Sequence, residues 1–538
     1  MPEVRFRVRW PNGAIQRCYS PSRVVKDHLA VGEAYRVEEF LDRARWALRL
    51  ASRRVHERYG IVCSAALDQL AAIERAAEAL EALDRAGTVQ VLGCEGSLAS
   101  NPSGSAPNPS REASRASEHF AVAIVGGGQA GLSMSYCLKE RSIPHVVLEA
   151  FTRAHTWRTQ RWDSFCLVTP NWQCRLPGHS YSGRDPNGFM SRDEVVAYLD
   201  AYADSFDPPL REGVRVESLE SGEGAPRERR FVLGTSRGAL TADQVVVATG
   251  GHERPRIPSM AAQLPPGVRQ LHSSEYRRPD LLPAGEVLVV GTGQSGCQIA
   301  EDLHLAGRRV HLCVGSAPRC ARRYRGRDVV EWLERMGHYD RSVEDHPEGE
   351  RVRDHTNHYV TGRDGGRDID LRRLALQGMR LYGPLRSITA ERFEFAPGLR
   401  ENLDGADAVY RRINCSIDAY VEKEGIDAPV EPEYVAPWEP EEEVLSLECG
   451  QVGMTSVIWC TGFETDLRWI RLPMLDSRGE PRHRRGVTEI PGLYFLGLPW
   501  LHTWGSGRLA GVGRDAQYLA DRIEEHAMGA ATAPRTGS

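Results

Sequence analysis

Apolar and polar residues alternate with different periods along the chain, and the changes of period mark its elements. At the N-terminus, VRFRVRW alternates apolar residues with arginines, PNG forms a turn, and AIQRCY returns as a second strand. Helical spacing then predicts two amphipathic helices, over about 37–59 and about 64–85. We therefore expect a small α+β domain over residues 1–93, with a basic face on its first strand.

A different pattern begins after a stretch rich in Ser, Pro, Gly and Asn over residues 94–119, which predicts a flexible linker. Beyond it, continuous apolar runs typical of buried parallel strands precede segments rich in small residues that would open helices. The pattern predicts an α/β fold with two Rossmann-like dinucleotide-binding domains. We divide it into a first domain over 120–284, a second with an insertion over 285–456, and the C-terminal part of the first over 457–530.

The first apolar run leads into a glycine-rich turn of the form G-x-G-x-x-G. Its glycines are Gly126, Gly128 and Gly131, and the helix that follows opens with Gln129 and Ala130. The glycines allow a tight turn, the approach of a diphosphate and close packing of helix on strand. Glu149 ends the next apolar run about 20 residues later, where an acid binds ribose hydroxyls. The turn alone could be structural, but with the acid it predicts an FAD site.

A second turn of the same form lies in the middle of the chain, and its residues are Gly291, Gly293, Gln294, Ser295 and Gly296. No acid stands at the matching place after the next strand. Gly315 and Ser316 occur there, followed by Arg319, Arg322 and Arg323. Small residues followed by arginines can accept a 2′-phosphate, so this site is predicted to bind NADPH. The alternative is that the arginines belong to a solvated loop.

Composition narrows the function classes further. The net charge of −5 argues against a protein dedicated to binding nucleic acids or anionic membranes. No apolar run is long enough to span a bilayer and the N-terminus lacks a signal-peptide pattern, so we expect a cytoplasmic protein. The 12 cysteines contain no C-x-x-C pair and no Cys/His cluster. The sequence therefore predicts neither a metal site nor a dithiol reductase.

Aromatic residues are dense between 155 and 181, directly after the expected ribose acid. Such a segment can be ordinary core, but at this position it can also supply the surface against which a flavin ring packs. Trp157, Trp162 and Trp172 are candidates for that surface. Asn171, in TPNW, is the candidate catalytic residue through a hydrogen bond to the flavin, or else a turn residue after Pro170.

From residue 120 to 528 the ordered motifs resemble the class B flavin-dependent monooxygenases and related flavoproteins linked to potassium transport. These motifs are the two turns, VVVATG, HSSEY, VIWCTGF and GLYFLGLP. The resemblance implies that the chain passes between two domains at VVVATG and VIWCTGF. It adds as cofactor-binding residues Thr249, Gly250, Thr461, Gly462 and Gly497. HSSEY departs from the monooxygenase fingerprint because Gly267 is one position too early.

A closer resemblance is to flavin oxidoreductases encoded beside a nitrilase in nitrogen-starvation gene clusters, through RWDSF, TPNW, YRGRD and the tryptophan-rich ending. The segment MPEVRFRVRWPNG resembles the small nitrogen-starvation-response protein of the same clusters, which implies a fusion of two neighbours. The expected cofactors are FAD and NADPH.

The function that this implies is a monooxygenase in which a flavin C4a-hydroperoxide oxygenates a small nitrogen-containing metabolite, with molecular oxygen as co-substrate. A homodimer is compatible with the resemblance. Two alternatives stay open: a flavoprotein dehydrogenase or oxidase that does not oxygenate its substrate, and a redox-sensing regulatory protein.

Overall fold

The computed structural model of the chain describes residues 4–20, scattered positions between 22 and 77, and residues 87–96, 118–222, 231–389, 391–450 and 453–532. It forms two compact units. The first comprises Met1–Ser117 with the short segments Ala150–Thr152 and Glu212–Arg215, and the second comprises the remainder.

The first unit contains an antiparallel sheet of order β2-β1-β4-β3. Its strands are β1 (Val4–Arg9), β2 (Ile15–Ser20), β3 (Ala34–Arg36) and β4 (Thr88–Gly96). The predicted hairpin is confirmed, with Arg7 and Arg9 exposed and Val8 and Trp10 buried. Trp10 packs edge-on against Phe40 with ring centroids 5.6 Å apart. The alternation of VRFRVRW is therefore the alternation of core and solvent faces.

The sheet of the first unit extends past the expected boundary of the domain. Residues 94–96, assigned to the linker, continue β4 and pair with β1, which extends the sheet beyond the expected boundary at 93. Large parts of the two predicted helices and residues 97–117 of the predicted linker lie outside the described residues.

The second unit begins with the strands of its larger sheet. These are β5 (Glu118–Val125), β6 (His145–Leu148), β7 (Leu210–Arg211), β8 (Val216–Ser221), β9 (Phe231–Thr235) and β10 (Gly238–Val247). Helix α1 (Gln129–Glu140) connects β5 to β6, α2 (His155–Thr159) follows β6, and α3 (Arg192–Phe206) precedes β7. Ser191 and Glu194 form a reciprocal capping box at the start of α3, an arrangement that contributes about 1 kcal/mol to such helices.

The chain then leaves this sheet and builds a second, five-stranded parallel sheet. Its strands are β11 (Arg269–His272), β12 (Glu286–Val290), β13 (Val310–Cys313), β14 (Arg380–Tyr382) and β15 (Met454–Trp459). Their order across the sheet is β11-β15-β12-β13-β14. Helix α4 (Gln294–Leu305) connects β12 to β13. The strand β11 lies before 285, and β15 crosses the boundary expected at 456/457, so the second sheet takes residues from both flanks of its predicted range.

The insertion between β13 and β15 carries helices α5 (Val329–Arg335), α6 (Leu371–Leu376) and α7 (Leu399–Lys423). It also contains a hairpin (Arg323–Tyr324 with Arg327–Asp328) and a three-stranded sheet of Leu385–Ile388, Arg392–Phe395 and Ser446–Glu448. The buried residues Trp332 and Ile417 bring α5 and α7 into one hydrophobic cluster. The insertion is therefore a folded layer with its own core.

The chain finally returns to the first sheet with β16 (His483–Arg484), β17 (Val487–Thr488), β18 (Leu493–Phe495) and helix α8 (Val512–Thr532). The complete first sheet has the order β16-β17-β18-β10-β5-β6-β7, and β8 and β9 continue from β10 as an antiparallel extension. The first sheet therefore contains strands that precede and strands that follow the second sheet in the sequence. No helix in the described ranges has the length and apolarity needed to cross a bilayer.

The second unit contains both glycine turns, both sheets and the insertion, so we expect residues 118–538 to fold when produced without residues 1–117. The product should be soluble, should bind one FAD per chain, and should unfold at a temperature close to that of the full-length protein. Flavin absorbance and thermal unfolding test this. An insoluble, flavin-free product that residues 1–117 rescue as a separate chain would show that the two units depend on each other to fold.

Candidate functional site

The first glycine turn fits a bound diphosphate. A β-carbon on Gly131 would lie 1.8 Å from the carbonyl oxygen of Gly126, and one on Gly126 would lie 2.5 Å from the carbonyl oxygen of Ala248. These two glycines therefore hold α1 close against the sheet. A β-carbon on Gly128 would meet no protein atom within 4 Å, and Gly128, the N-cap of α1, has no side-chain cap. The N-terminus of α1 is open to an anion where a diphosphate is expected.

Gln129 connects the start of α1 to two distant parts of the chain. Its Oε1 accepts a hydrogen bond from Trp157 Nε1 at 2.8 Å, and its Nε2 donates to the Gly507 carbonyl at 3.0 Å. Gly497, with φ +83°, passes over the same helix end, where its β-carbon would lie 2.6 Å from that of the buried Ala130. The predicted residues Gln129, Ala130, Trp157 and Gly497 therefore meet around one helix terminus.

Glu149 closes the first site from the end of β6. Its Oε2 accepts a hydrogen bond from the Gly127 N–H at 2.6 Å, and the residue is buried. The acid thus lies beside the glycine turn, as a ribose-binding carboxylate requires.

The second glycine turn repeats this geometry. A β-carbon on Gly296 would lie 1.9 Å from the Gly291 carbonyl oxygen, and one on Gly291 would lie 2.7 Å from that of Cys460. The middle glycine, Gly293, has only Thr356 Cγ2 near its virtual β-carbon, at 3.8 Å, and its helix α4 also has no side-chain cap. The first two helical residues are Gln294, whose Nε2 donates to the Val360 carbonyl, and Ser295.

The two turns differ at the position of the acid. Gly126 N–H bonds to the Leu148 carbonyl and Gly291 N–H to the Cys313 carbonyl, so Val314 occupies the place of Glu149. Val314 is buried. The Thr292 hydroxyl accepts from the Gly315 N–H at 2.9 Å, whereas at the equivalent Gly127 a β-carbon would lie 2.9 Å from that of Glu149. The second site therefore has no carboxylate that would repel a 2′-phosphate.

The arginines expected to bind that phosphate are placed differently. Arg319 is buried between the rings of Tyr410 and Tyr434, with its Nε 2.6 Å from Asp407. Arg322 is buried with its guanidinium paired to Asp328 at 2.5 Å and bonded to the Val168 carbonyl.

These contacts correct the sequence-based interpretation of both residues, because each guanidinium already neutralises a carboxylate inside the insertion. Of the three arginines only Arg323 is exposed. The pattern of small residues followed by arginines therefore marks the start of the insertion. The feature that favours NADPH at this site is the absence of an acid at position 314.

The two segments at which the chain is predicted to pass between domains, VVVATG and VIWCTGF, lie together. Gly250 and Gly462 have φ values of +80° and +85°, which favour glycine, and each follows a predicted threonine, Thr249 and Thr461. Thr461 donates its hydroxyl hydrogen to the Arg256 carbonyl. The Gly462 carbonyl accepts a hydrogen bond from His272 Nε2 at 3.0 Å, so HSSEY bonds directly to the second crossing.

His272 is held as one neutral tautomer. Its Nδ1 accepts from the Ser274 N–H at 3.2 Å, which leaves the hydrogen on Nε2 to donate to Gly462. The ring is fully buried and lies edge-on to Phe463 at 4.7 Å. Burial lowers the pKa of His272. His272 therefore holds the HSSEY segment in a fixed position against the segment at Gly462.

The candidate tryptophans have three different environments. Trp157 is half-buried beside α1, and the Arg161 guanidinium lies 5.1 Å above its ring. Trp162 is buried in the hydrophobic core of the second nucleotide domain, against Phe165 and Tyr276. Trp172 packs against the core of the insertion. Only Trp157 remains next to the first glycine turn, and Trp162 supports the site from the core rather than lining it.

Asn171 has a structural task in the described contacts. Its Nδ2 donates to the Asp185 carbonyl at 2.9 Å, and its Oδ1 accepts from the Met190 N–H at 2.7 Å. The residue is buried in a short 3-10 turn. These bonds correspond to the turn-residue alternative, and its hydrogen bond to a flavin stays a prediction.

A buried carboxylate that sequence reasoning missed joins three parts of the second unit. Asp302, on α4, accepts from Ser164 Oγ at 2.6 Å, Tyr276 Oη at 2.6 Å and Arg363 at 2.7 Å. Ser164 belongs to the aromatic segment, Tyr276 to HSSEY and Arg363 to the insertion. No motif marks Asp302, because its partners are distant in sequence.

Known proteins match the two units separately. The profile of the nitrogen starvation-induced protein NitG matches residues 5–94, and that of the pyridine nucleotide-disulphide oxidoreductases matches residues 123–369. A CzcO-like oxidoreductase of Geobacillus kaustophilus, which is uncharacterised, is 33% identical over 75% of this chain and 98% of its own length.

Two further matches are to monooxygenases. The indole-3-pyruvate monooxygenase YUCCA1 of rice is 34% identical over 36% of this chain and 47% of its own length. The structure of a flavin-containing monooxygenase from Stenotrophomonas maltophilia superposes with a TM-score of 0.52 at 20% identity, covering 76% of this chain and 99% of that one. The fold of the second unit is therefore that of flavin monooxygenases, with two Rossmann-like domains.

Substitutions of Gly128 and Gly131 in the first turn should have opposite effects on FAD binding and on stability. Gly128→Val should lose FAD while unfolding close to the temperature of the wild-type apoprotein, because the backbone is extended there and the side chain enters only the diphosphate space. Gly131→Val should be destabilised by at least about 1–3 kcal/mol through its collision with the Gly126 carbonyl. Flavin absorbance and thermal unfolding separate the two effects. Stoichiometric FAD in Gly128→Val would refute the assignment of this turn.

Buried histidines predict how stability depends on pH. Desolvation lowers the pKa of His272 and of His145, which bonds to Ser135 and the Ile143 carbonyl. Below pH 6.5 the unfolded chain binds protons that the folded chain does not. The free energy of unfolding should therefore decrease as the pH is lowered. The loss is at most about 1.4 kcal/mol per pH unit for each histidine. Denaturation of His145→Gln at pH 7.5 and 5.5 should show a smaller difference than in the wild type, and an equal difference would contradict the argument.

Proposed function

The chain belongs to the family of CzcO-like oxidoreductases, and from this premise we propose that its second unit is an FAD- and NADPH-dependent monooxygenase. Its substrate is a small nitrogen-containing metabolite and its co-substrate is molecular oxygen. The observation that carries the proposal is the pair of glycine turns, each open at its middle glycine, on two sheets that share the crossings at Gly250 and Gly462.

FAD is assigned to the first turn and NADPH to the second. At the first, Gly128 leaves the N-terminus of α1 open and Glu149 stands where ribose hydroxyls bind. At the second, Gly293 leaves α4 open, and Val314 replaces the acid. The cofactors supply the redox chemistry when bound: hydride transfer from nicotinamide to flavin, and activation of oxygen by the reduced flavin.

The protein's own contribution is positioning and exclusion of water. Gln129 fixes the start of α1 to Trp157 and to the C-terminal segment at Gly507. The Val360 carbonyl, in the insertion, accepts from Gln294 and Gln298 of α4, while Asn357 accepts from Arg508 at 2.8 Å. Residues 357–360 thus bridge the second glycine turn and the C-terminal part of the first domain. This bridge supports the insertion as a cover over reacting groups.

The nitrogen-containing substrate is inferred from the N-terminal unit, whose match is to a nitrogen starvation-induced protein. The rice relative, an indole-3-pyruvate monooxygenase, is consistent with oxygenation as the reaction class. The proposal includes a cytoplasmic location and, as an assembly to be tested by solution mass, a homodimer.

The name of the second family profile suggests a different reaction, the reduction of a disulfide. The described cysteines are all free, and burial raises the pKa values of Cys297 and Cys460, which lie at the second glycine turn. A raised pKa leaves the thiol protonated and unreactive. These contacts favour oxygenation over dithiol exchange.

The experiment that tests the function supplies purified holoenzyme with NADPH, a pool of small nitrogenous metabolites and ¹⁸O₂. The expected result is a product with one atom of ¹⁸O, formed in step with NADPH consumption. Stoichiometric peroxide without any labelled product across the pool would instead establish the dehydrogenase or oxidase alternative. Absence of NADPH oxidation would favour a redox-sensing role.

The comparison of the two turns predicts a change of cofactor preference. The wild type should be reduced with higher affinity by NADPH than by NADH. Thr292→Gly with Val314→Glu reproduces the Gly127 and Glu149 pair and should weaken NADPH relative to NADH by about tenfold or more, because the new carboxylate repels the 2′-phosphate. Stopped-flow flavin reduction measures both affinities, with Thr292→Gly as the control. An unchanged ratio in the double variant would show that position 314 does not face the ribose.

A further inference from the structure

Arg161 and Arg508 differ in their partners from four other arginines of the second unit. Arg319, Arg322, Arg363 and Arg372 all pair with aspartates. In the part of the chain that the structure describes, Arg161 and Arg508 form no ion pair with a carboxylate. Arg161 donates to the Gln160 carbonyl at 3.0 Å, and Arg508 donates to the Trp504 carbonyl at 2.7 Å and to Asn357 at 2.8 Å.

Contacts connect the two arginines through the start of α1. The Arg161 guanidinium lies over Trp157, Trp157 bonds to Gln129, and Gln129 bonds to Gly507, which precedes Arg508. Arg508 in turn lies 3.6 Å above the ring of Trp504. Each guanidinium therefore lies over an indole ring and, among the described residues, has no carboxylate partner, so both can donate hydrogen bonds to a ligand.

The surroundings of His252 are positively charged. Desolvation by burial, followed by the charges of Arg161 and Arg508, lowers the pKa of His252 to about 4. Both arginines therefore lie near this imidazole. Burial, with some help from Arg161's neighbour Arg277, also lowers the pKa of Arg161 to about 10, and burial does the same for Arg508.

Like charges held close together without a counter-ion destabilise a protein unless an anion joins them. We propose that Arg161 and Arg508 form an anion-binding site that receives the carboxylate group of the substrate. The inference rests on the proposed function in that it assigns a chemical class to the substrate of the same site: a small carboxylic acid that presents its oxidisable atom away from the arginines. A cofactor phosphate has the same anionic oxygen chemistry and is the other possible source.

Isothermal titration calorimetry of the FAD-loaded full-length protein tests this without turnover. The probes are acetate, pyruvate, phenylacetate and benzoate, with benzamide as a neutral analogue of benzoate. At least one acid should bind, and benzoate should bind at least about tenfold more tightly than benzamide. Failure of every acid to bind, or equal affinity for benzoate and benzamide, would overturn the proposal.

Variants identify the residues and distinguish the two sources of the anion. Arg161→Gln and Arg508→Gln should each weaken binding of the acid by about 10- to 100-fold, since a charge-assisted hydrogen bond is lost. Arg508→Lys should retain part of the affinity. Arg327→Gln is the matched control, because Arg327 also lies over an indole ring, that of Trp332, but pairs with Glu331. Its affinity for the acid should equal that of the wild type.

FAD content and the Kd of NADPH are measured on the same variants, with thermal unfolding as a check on folding. If the glutamine variants lose FAD or bind NADPH more weakly while their affinity for the acid is unchanged, the arginines serve a cofactor phosphate and the proposal is wrong. The outcome is separate from that of the oxygenation test. A protein that releases only peroxide would refute monooxygenation and still bind the acid through these arginines.

Discussion

The close approach of a helix to the carbonyl of a glycine is the constraint on which the second unit depends. At both turns, any side chain on the third glycine would lie less than 2 Å from the carbonyl oxygen of the first. This contact fixes the start of α1 against β5 and of α4 against β12, and so aims the helix N-termini at the same side of their sheets. Everything else in the candidate site is arranged around these two ends.

The turns and their surroundings could be predicted because their chemistry is local. Six glycines, the acid Glu149 and the apolar strands lie within short segments, and the structure brings them together in the predicted way. Arg319 and Arg322 misled the interpretation for the opposite reason. Their partners, Asp407 and Asp328, lie in the insertion, and a sequence does not show whether an arginine after a strand faces a ligand or a carboxylate.

The same limitation hid the residues of the proposed anion-binding site. Arg161 and Arg508 are separated by most of the second unit, and only the fold places both beside His252. The strand order of the second sheet could not be predicted either, since β11 and β15 come from the segments that flank it. The match of Val314 to Glu149 was within reach of the sequence, because each lies 18 residues after the third glycine of its turn (149 − 131 and 314 − 296), and the pairing of β12 with β13 shows it.

Asp302 has a consequence for the exchange of parts between related proteins. Its carboxylate holds a serine, a tyrosine and an arginine that come from three separate stretches of sequence. A chimera that receives a foreign insertion without an arginine at position 363 would leave this buried charge short of its cationic partner, even if every backbone segment fitted. The insertion therefore cannot diversify as an independent module. During evolution it is tied to α4 and to the aromatic segment, and the three would be inherited as one block.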